Sequence, residues 1–299
     1  MTTEDPHWPR ASAWLASGGD PRGRHLVLVG VPCARSSISP SRADTTPAAV
    51  RQALRRYSTF DADLDVDLER LKVRDAGDLP VAELSGEALI DAVEAGVRDL
   101  PAADLVVLLG GDNALTRPAA RALLPDLARG GLLTLDAHHD VRGMHAGPTN
   151  GTPVRGLLDD GLPGEHVVQV GIGTLTNSRA YRSWCDENGI GVVTATQARR
   201  QGVAEVVREA LDDLASHADA LYVDLDVDVV DSASVPGCPG ARPGGLSPWE
   251  LLDAAAEVGR HPAVVAVDIV EVDAEADGGR TVDLAAACLL RVAAGLAAR

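Results

Sequence analysis

Two aspartates and a histidine follow an apolar run near the middle of the chain. Residues 132–135 are typical of a buried parallel strand. Asp136, His138 and Asp140 come next, at every second position. Because alternate residues of an extended chain share a face, we expect these side chains to converge at the end of the strand, where open α/β folds bind ligands. Two carboxylates and an imidazole suit Mn²⁺, Ni²⁺, Fe²⁺ or Zn²⁺ better than Ca²⁺, although a polar loop with solvated aspartates explains this segment equally well.

A second segment carries acids in a similar pattern. Residues 221–231 are largely apolar apart from four aspartates, Asp224, Asp226, Asp228 and Asp231. We interpret these as four carboxylates on one face of a buried strand, where each like-charged pair at about 4 Å costs about 4 kcal/mol. Such a strand needs a bound cation or several protonated acids. Together the two segments predict a dinuclear metal site.

Four motifs in this order resemble the ureohydrolase superfamily of arginases, agmatinases and formimidoylglutamases. They are Gly110-Gly111-Asp112 after a Val/Leu strand, Asp136-Ala-His-His-Asp140, Asp226-Val-Asp228 with the later Pro243-Gly-Gly-Leu246, and Val267-Asp-Ile-Val-Glu271. The resemblance covers most of the chain. It implies an arginase-like three-layer α/β/α fold with a mostly parallel sheet of about eight strands, and the alternation of apolar runs with helical patterns supports a parallel sheet.

The resemblance also implies roles for the acidic residues. Asp136 and Asp226 look like carboxylates that bridge two metal ions. Asp140 would complete the shell of the first metal, and His138 with Asp228 that of the second. Two Mn²⁺ ions are expected; a single ion is an alternative, and Ni²⁺, Fe²⁺ and Zn²⁺ are not excluded.

The same resemblance implies a reaction. A hydroxide held by the metals attacks an amidine carbon, and Asp140 orients this nucleophile. Glu271 looks like the carboxylate that binds the amidine or guanidine group of the substrate. Asp140, Glu271 and Asn150 are therefore the candidate catalytic residues.

Two positions depart from the superfamily pattern. Asn113 follows Gly-Gly-Asp where the family usually has His, and its neutral amide oxygen is a weaker ligand for a transition metal than imidazole. Asn150 stands where arginases have a His that transfers protons, which an amide cannot do near neutral pH. His139 and His145 are nearby alternatives, but for each a solvated loop histidine is the simpler interpretation. We therefore keep Asn113 as a metal ligand and Asn150 as a catalytic and substrate-binding residue, with the proton shuttle open.

The pattern His-x-Asp-Val-Arg, which ends at Arg142, looks like formimidoylglutamases rather than arginases. A guanidinium beside the site can bind a substrate carboxylate bidentately, although a plain surface arginine fits the sequence nearly as well. With Asn150 and Glu271, Arg142 completes the predicted substrate-binding set. The predicted function is hydrolysis of N-formimidoyl-L-glutamate to glutamate and formamide. The alternatives are an agmatinase, arginase or guanidino-acid hydrolase, a one-metal enzyme similar to histone deacetylases, and a catalytically impaired homologue with one or no metal.

Length and charge limit the remaining classes. We expect the 299 residues to form one arginase-like α/β domain, 1–299. The formal charge of −17 disfavours nucleic acid and anionic membranes as partners. Four cysteines without paired spacing, a polar N-terminus and no long apolar run predict a cytoplasmic protein. The resemblance implies a homo-oligomer, either a trimer or a hexamer.

Overall fold

The structure, a computed structural model, describes Asp5 and residues 7–299. Strands alternate with helices along this part of the chain. The strands are β1 (His25–Val31), β2 (Phe60–Asp61), β3 (Val66–Asp67), β4 (Lys72–Asp78), β5 (Leu105–Gly110), β6 (Gly130–Leu135), β7 (Val167–Ile172), β8 (Gly191–Thr194), β9 (Ala220–Asp226) and β10 (Val264–Val270). The helices are α1 (Ala11–Ser17), α2 (Thr46–Ala53), α3 (Gly86–Arg98), α4 (Thr116–Leu123), α5 (Pro153–Asp159), α6 (Arg179–Glu187), α7 (Ala195–Gln201), α8 (Val203–His217), α9 (Pro248–Arg260) and α10 (Arg280–Ala297).

Eight strands form one sheet in the order β4-β1-β5-β10-β9-β6-β7-β8. Every neighbouring pair in this sheet is parallel. Strands β2 and β3 form a separate antiparallel hairpin. All residues of β5, β6 and β9 are buried, as parallel strands covered on both faces must be. The predicted parallel sheet of about eight strands is confirmed.

Helices cover both faces of the sheet. Helices α1, α2 and α7 to α10 pack on one face, with Leu211 and Leu289 in their shared core. Helices α3 to α6 pack on the other, with Leu89 and Leu157 in a second core. Since successive strand residues point to opposite faces, the central strands β5, β10, β9 and β6 contribute to both cores. The result is the predicted three-layer architecture. No helix within the described residues is long and apolar enough to cross a membrane.

Two parts of the fold differ from the sequence-based expectation. Strand β4 was not predicted, because it is an edge strand on which Val73 is buried while Lys72 and Arg74 are exposed. Charged edge strands are common because they prevent pairing with other chains, and they lack the apolar run that marks a central strand. For the polar residues 1–24 the sequence favours a loosely packed segment with one short helix near Trp14. The helix is present as α1, but Trp14 is only 2% exposed and belongs to the core, so the described part of this segment is packed more tightly than expected.

The four central strands, β5, β10, β9 and β6, position the candidate site. Asn113 follows β5 within three residues, and Asp136 follows β6 directly. Asp226 is the last residue of β9, and Glu271 follows β10 directly. Because parallel strands end at the same edge of a sheet, these four side chains are brought to one place.

Candidate metal centre and substrate pocket

Three predicted metal ligands meet beyond the ends of β6 and β9. Asp136, His138 and Asp228 each present a ligand atom, and these atoms lie within 4.8 Å of one another. Nδ1 of His138 is 2.7 Å from Oδ2 of Asp228 and 3.6 Å from Oδ1 of Asp136. This spacing suits one cation bound between an imidazole and two carboxylates.

Tight turns, not extended strands, bring these residues together. Strand β6 ends before Asp136, whose Oδ1 accepts a hydrogen bond from the backbone N–H of His138 at 2.6 Å. Likewise β9 ends at Asp226, whose Oδ1 accepts from the N–H of Asp228 at 2.7 Å. Asp228 lies in a 3₁₀ turn, Val227–Val229. The chain therefore turns immediately after Asp136 in the first segment and immediately after Asp226 in the second.

The expectation of four carboxylates on one strand face is wrong. Asp224 and Asp226 share a face of β9, but Asp228 reaches the site through the 3₁₀ turn. Asp231 lies outside the site: its carboxylate accepts hydrogen bonds from the backbone N–H groups of Ala233 and Gly244. A loop aspartate that caps its own backbone satisfies its charge locally and needs no cation.

Asp140 and Glu271 both have left-handed backbone conformations, with φ of 52° and 65°. Such angles are uncommon for residues other than glycine, and they tend to persist where the surrounding structure fixes a functional side chain. The N–H of Glu271 bonds to the carbonyl of Gly111, which ties the end of β10 to the turn after β5. The strained angle turns each carboxylate towards the cavity.

Asn113 is completely buried, and its side chain bridges the site and the layer below it. Its Nδ2 lies 2.9 Å from Oδ2 of Asp140 and 3.4 Å from Oδ2 of Asp224. Its Oδ1 lies 2.5 Å from the hydroxyl oxygen of Thr116. In this orientation the amide nitrogen, not the oxygen, faces the predicted position of the first metal.

A buried polar layer lies beneath the predicted ligands, and of its members only Asp224 was singled out from the sequence. Asp224 and Asp268 are register partners on β9 and β10. The hydroxyl groups of Thr116 and Tyr222 each lie 2.7 Å from Oδ2 of Asp268. Asp268 stands three residues before Glu271 in the quoted motif, and that spacing was the available signal.

Asn150 binds Glu271 rather than a metal ligand. Its Nδ2 donates to Oε1 of Glu271 at 3.0 Å, and its Oδ1 accepts from the N–H of Ile38 at 3.0 Å. The backbone N–H of Asn113 donates to the same Oε1 at 2.8 Å. Two donors therefore fix Glu271 in the cavity.

The carboxylates of the site are strongly desolvated. Asp136, Asp226 and Asp228 are at most 3% exposed. Burial, and next the charge of Asp228, raise the pKa of Asp136 to about 7. Burial by itself would lower the pKa of His138, but hydrogen bonds and charges from Asp136 and Asp228 raise it to about 12. Within the described part of the chain, only His138 forms an ion pair with these acids. The donor set therefore fits divalent cations, whose charge would offset the repulsion.

A cavity of about 140 Å³ opens above these acids. Asp140, Asp226 and Asp228 line it together with Glu271 and Asn150. The predicted residue Arg142 lines it as well. Arg242 and Tyr181 also line the cavity but were not predicted from the sequence. For Arg242 the only signal was a charged residue in the Gly/Pro-rich loop that follows the second aspartate segment.

Neither histidine proposed as a substitute proton shuttle lines this cavity. His139 is 1% exposed, and its Nδ1 lies 2.6 Å from Oε1 of Gln169, so the expectation of a solvated loop residue is wrong. It is held in the interior by Gln169 of β7, whose Nε2 also donates to the backbone carbonyl of His139 at 2.9 Å. His145 is exposed, as expected of a loop histidine.

The fold and the site define a metal-dependent hydrolase that acts on C–N bonds of linear amidines. The sequence profile of the arginase family matches residues 24–295, and the chain belongs to this family. The formimidoylglutamase of Halalkalibacterium halodurans is 37% identical over 255 residues, which cover 84% of this chain and 80% of that protein. The agmatinase of Pyrococcus horikoshii is 28% identical over 94% of both chains.

Solved structures show the same relationship. The formimidoylglutamase of Bacillus subtilis superposes with a TM-score of 0.91 at 31% identity, and the match covers 99% of this chain and 94% of that one. A Trypanosoma cruzi formiminoglutamase with Mn²⁺ shares the fold with a TM-score of 0.87 at 24% identity, over 98% of this chain and 99% of that one. The predicted family and the predicted class of hydrolase are confirmed.

Proposed function

We propose that this protein hydrolyses N-formimidoyl-L-glutamate to L-glutamate and formamide. The observation that carries the proposal is a single cavity that combines the acid cluster with Glu271 and with Arg142. The acid cluster suits metal-assisted hydrolysis, Glu271 suits an amidinium, and Arg142 suits a carboxylate. Formimidoylglutamases from two bacteria, 37% and 35% identical to this chain, support the same substrate.

The proposed metal ligands are the residues that were predicted from the sequence. Asp136 and Asp226 would bridge two ions, Asn113 and Asp140 would bind the first, and His138 and Asp228 the second. Bound divalent ions, Mn²⁺ by preference, would supply a Lewis acid and lower the pKa of a water molecule. We propose Mn²⁺ because the Trypanosoma cruzi structure that shares this fold contains it.

The chain's own groups orient the substrate. Oε1 of Glu271 accepts hydrogen bonds from two donors, whereas Oε2 has no donor among the described residues and can accept N–H groups of the amidinium. Burial raises the pKa of Glu271 to about 8, and a cationic substrate beside it would lower that pKa and stabilise the ionised form. Asn150 holds Glu271 in place and does not transfer protons. Asp140, on its left-handed turn, would accept a hydrogen bond from the attacking nucleophile.

Agmatinase is the second candidate function, and it is supported by relatives such as the Bacillus cereus agmatinase, 33% identical over 236 residues. Agmatine is a dication without a carboxylate, so Arg142 at the cavity would repel it. This charge mismatch favours the formimidoylglutamate reaction. We further propose that residues 1–299 form one domain and that the protein acts in the cytoplasm as a trimer or hexamer, on the basis of the family resemblance.

A substrate panel tests the proposal. Purified protein, loaded with Mn²⁺ and separately with Ni²⁺, Fe²⁺ or Zn²⁺, is assayed with formimidoylglutamate, arginine, agmatine and guanidinobutyrate. We expect formimidoylglutamate to have the largest kcat/KM and to release formamide and glutamate in equal amounts. Turnover of agmatine without turnover of formimidoylglutamate would assign the agmatinase function. Turnover of none, with two metals bound, would identify an impaired homologue.

A further inference from the structure

We propose that Arg242 is a second carboxylate-binding residue, so that the cavity selects amidines that carry two carboxylates. This inference rests on the proposed function and deepens it, because it says which substrate charges the site requires. Nothing in the sequence motifs assigns a role to Arg242.

The charges that line the cavity are complementary to those of a dicarboxylate amidine. Besides the proposed metal ligands, its charged lining residues within the described chain are Glu271, Arg142 and Arg242. Two divalent ions would offset the four aspartates of the proposed metal set. One negative and two positive charges then remain to meet a substrate. Formimidoylglutamate has the complementary set: one amidinium and two carboxylates.

Other amidino compounds match this pattern poorly. Arginine has two cationic groups and one carboxylate, and agmatine has two cationic groups and none. In either case a second substrate cation would face one of two exposed arginines at the cavity, and the like charges would repel each other. The two arginines therefore weaken the binding of these substrates and strengthen the binding of a dicarboxylate.

Arg242 is held ready by its own loop. Its Nη1 donates to the carbonyl oxygens of Pro239, Gly240 and Ala241 at 3.0, 3.0 and 2.8 Å. No carboxylate lies within 4.0 Å of its guanidinium among the described residues. Nε and Nη2 form no hydrogen bonds there either. A guanidinium fixed along one edge and free along the other loses little side-chain entropy when it binds a carboxylate.

The loop that carries Arg242 is also fixed to the metal centre. A Cβ atom added at Gly240 would lie 2.3 Å from Oδ2 of Asp228, so backbone and carboxylate approach as closely as glycine allows. Arg242 therefore stands two residues from a direct contact with a proposed metal ligand. This contact links the position of the guanidinium to the reaction centre.

Arg142 comes from a different loop. It follows β6, whereas Arg242 follows β9. Its side chain packs over Gly151, where an added Cβ would lie 2.6 Å from Cδ of Arg142. Its guanidinium also has no carboxylate within 4.0 Å in the described part of the chain. Two separately supported guanidinium groups suit two separate carboxylates better than one shared carboxylate.

Kinetics of arginine variants with substrate analogues that each lack one carboxylate test this assignment. Wild type, Arg142→Ala and Arg242→Ala, each loaded with Mn²⁺, are assayed with three compounds. These are N-formimidoyl-L-glutamate, N-formimidoyl-4-aminobutyrate, which lacks the α-carboxylate, and N-formimidoyl-L-norvaline, which lacks the side-chain carboxylate. Arg200→Ala is the matched control, since Arg200 is exposed on α7 and does not line the cavity.

We expect Arg242→Ala to raise KM for formimidoylglutamate by roughly 10- to 150-fold, as for a lost charge-assisted hydrogen-bonded pair, with kcat changed much less. On one of the two monocarboxylate compounds, Arg242→Ala should leave KM unchanged, because that compound lacks the carboxylate that Arg242 binds. Arg142→Ala should leave KM unchanged on the other compound. An unchanged KM for formimidoylglutamate, or an equal rise on all three compounds, would overturn the proposal.

Binding of L-glutamate, the product, separates this proposal from the proposed function. Calorimetry with the Mn²⁺-loaded protein should show weaker L-glutamate binding by Arg242→Ala and unchanged binding by Arg200→Ala, whether or not any formimidoyl compound is hydrolysed. Weakened binding without turnover would retain the dicarboxylate site and reject the proposed reaction. Equal L-glutamate affinity of wild type and Arg242→Ala would reject the site itself.

Discussion

Nδ2 of Asn113 lies 2.9 Å from Oδ2 of Asp140, so these two proposed ligands of the first metal are hydrogen-bonded to each other. The hydroxyl of Thr116 has one proton but lies within hydrogen-bonding distance of two acceptors, Oδ1 of Asn113 and Oδ2 of Asp268. Turning the Asn113 amide over resolves this conflict: Nδ2 would donate to Thr116, and Thr116 would donate to Asp268. The amide oxygen would then face Asp140, which is the orientation that a shared cation requires.

The first prediction concerns Asn113→His. Imidazole is a better ligand for a transition metal than an amide oxygen, so the variant should bind the first metal more tightly. Calorimetric titration of the metal-free protein with Mn²⁺ measures the affinities of the two metal sites separately. The affinity for the second metal should be unchanged. If the wild type already binds two ions tightly and the variant gains nothing, Asn113 is a sufficient ligand.

The second prediction concerns Asp226→Ala. Because Asp226 would bridge both ions, its loss should reduce bound Mn²⁺ from two equivalents to fewer than one after dialysis, as measured by elemental analysis. Metal-induced stabilisation should fall with it, since a ligand that binds only the folded state stabilises in proportion to RT ln(1 + [L]/Kd). Asp231→Ala, five residues further on but outside the site, is the control. Full metal occupancy in Asp226→Ala would show that the site lies elsewhere.

The third prediction concerns Asn150→Ala. Burial raises the pKa of Glu271, and hydrogen bonds from the N–H of Asn113 and from Asn150 lower it. Removing the Asn150 donor should therefore raise this pKa further and shift the acid limb of the kcat/KM profile to higher pH. Asn188→Ala on the surface should leave the profile unchanged. An acid limb that stays in place in Asn150→Ala would mean that Asn150 does not control Glu271.

The fourth prediction concerns the metal-free protein. The pKa of Asp136 is raised to about 7, mainly by burial, and burial also raises those of Asp140 and Asp226. An acid whose pKa is higher in the folded state stabilises the fold below its unfolded pKa of about 3.9 and loses that contribution as the pH rises through the folded value. The free energy of unfolding in EDTA should therefore fall between pH 5 and 8.

Mn²⁺ should oppose this fall, because metal binding requires deprotonated ligands and becomes stronger as the pH rises. Urea denaturation at pH 5, 6.5 and 8, with EDTA or with excess Mn²⁺, measures both trends. Asp136→Asn, which cannot ionise, should have a flatter dependence in EDTA. A metal-free protein that becomes more stable between pH 5 and 8 would contradict the prediction.

The fifth prediction concerns Arg142→Ala. A charge-assisted bidentate hydrogen bond contributes about 1.5–3 kcal/mol, so KM for formimidoylglutamate should rise roughly 10- to 150-fold. The same change should be nearly neutral, or favourable, for agmatine, which has no carboxylate. Steady-state kinetics of wild type and Arg142→Ala with both substrates measure these changes in KM. Equal losses on both would mean that Arg142 supports its loop and does not bind the substrate.

Much of this protein could be predicted from the sequence because local patterns fixed it. Apolar runs predicted the central strands, since parallel strands must be covered on both faces. The acids after residues 135 and 225 indicated the carboxyl end of the sheet, and the order of four motifs led to the family. Edge strand β4 escaped because its exposed residues are charged, so its pairing with β1 depends on the neighbouring strand and not on its own pattern.

Only the tertiary structure decided how the polar groups meet. Asp228 reaches the site through a 3₁₀ turn and Asp231 does not reach it, although both belong to the same aspartate-rich segment of the sequence. Arg242 stands 100 residues after Arg142 in the chain, yet both line one cavity, because β9 and β6 are neighbours in the sheet. The contacts of Asn113 and Asn150 join β5, β6 and β10 in the same way. The spacing of residues in the sequence determines how side chains within one segment are placed relative to each other. Contacts between segments depend on the order of the strands in the sheet and on the turns that follow each strand.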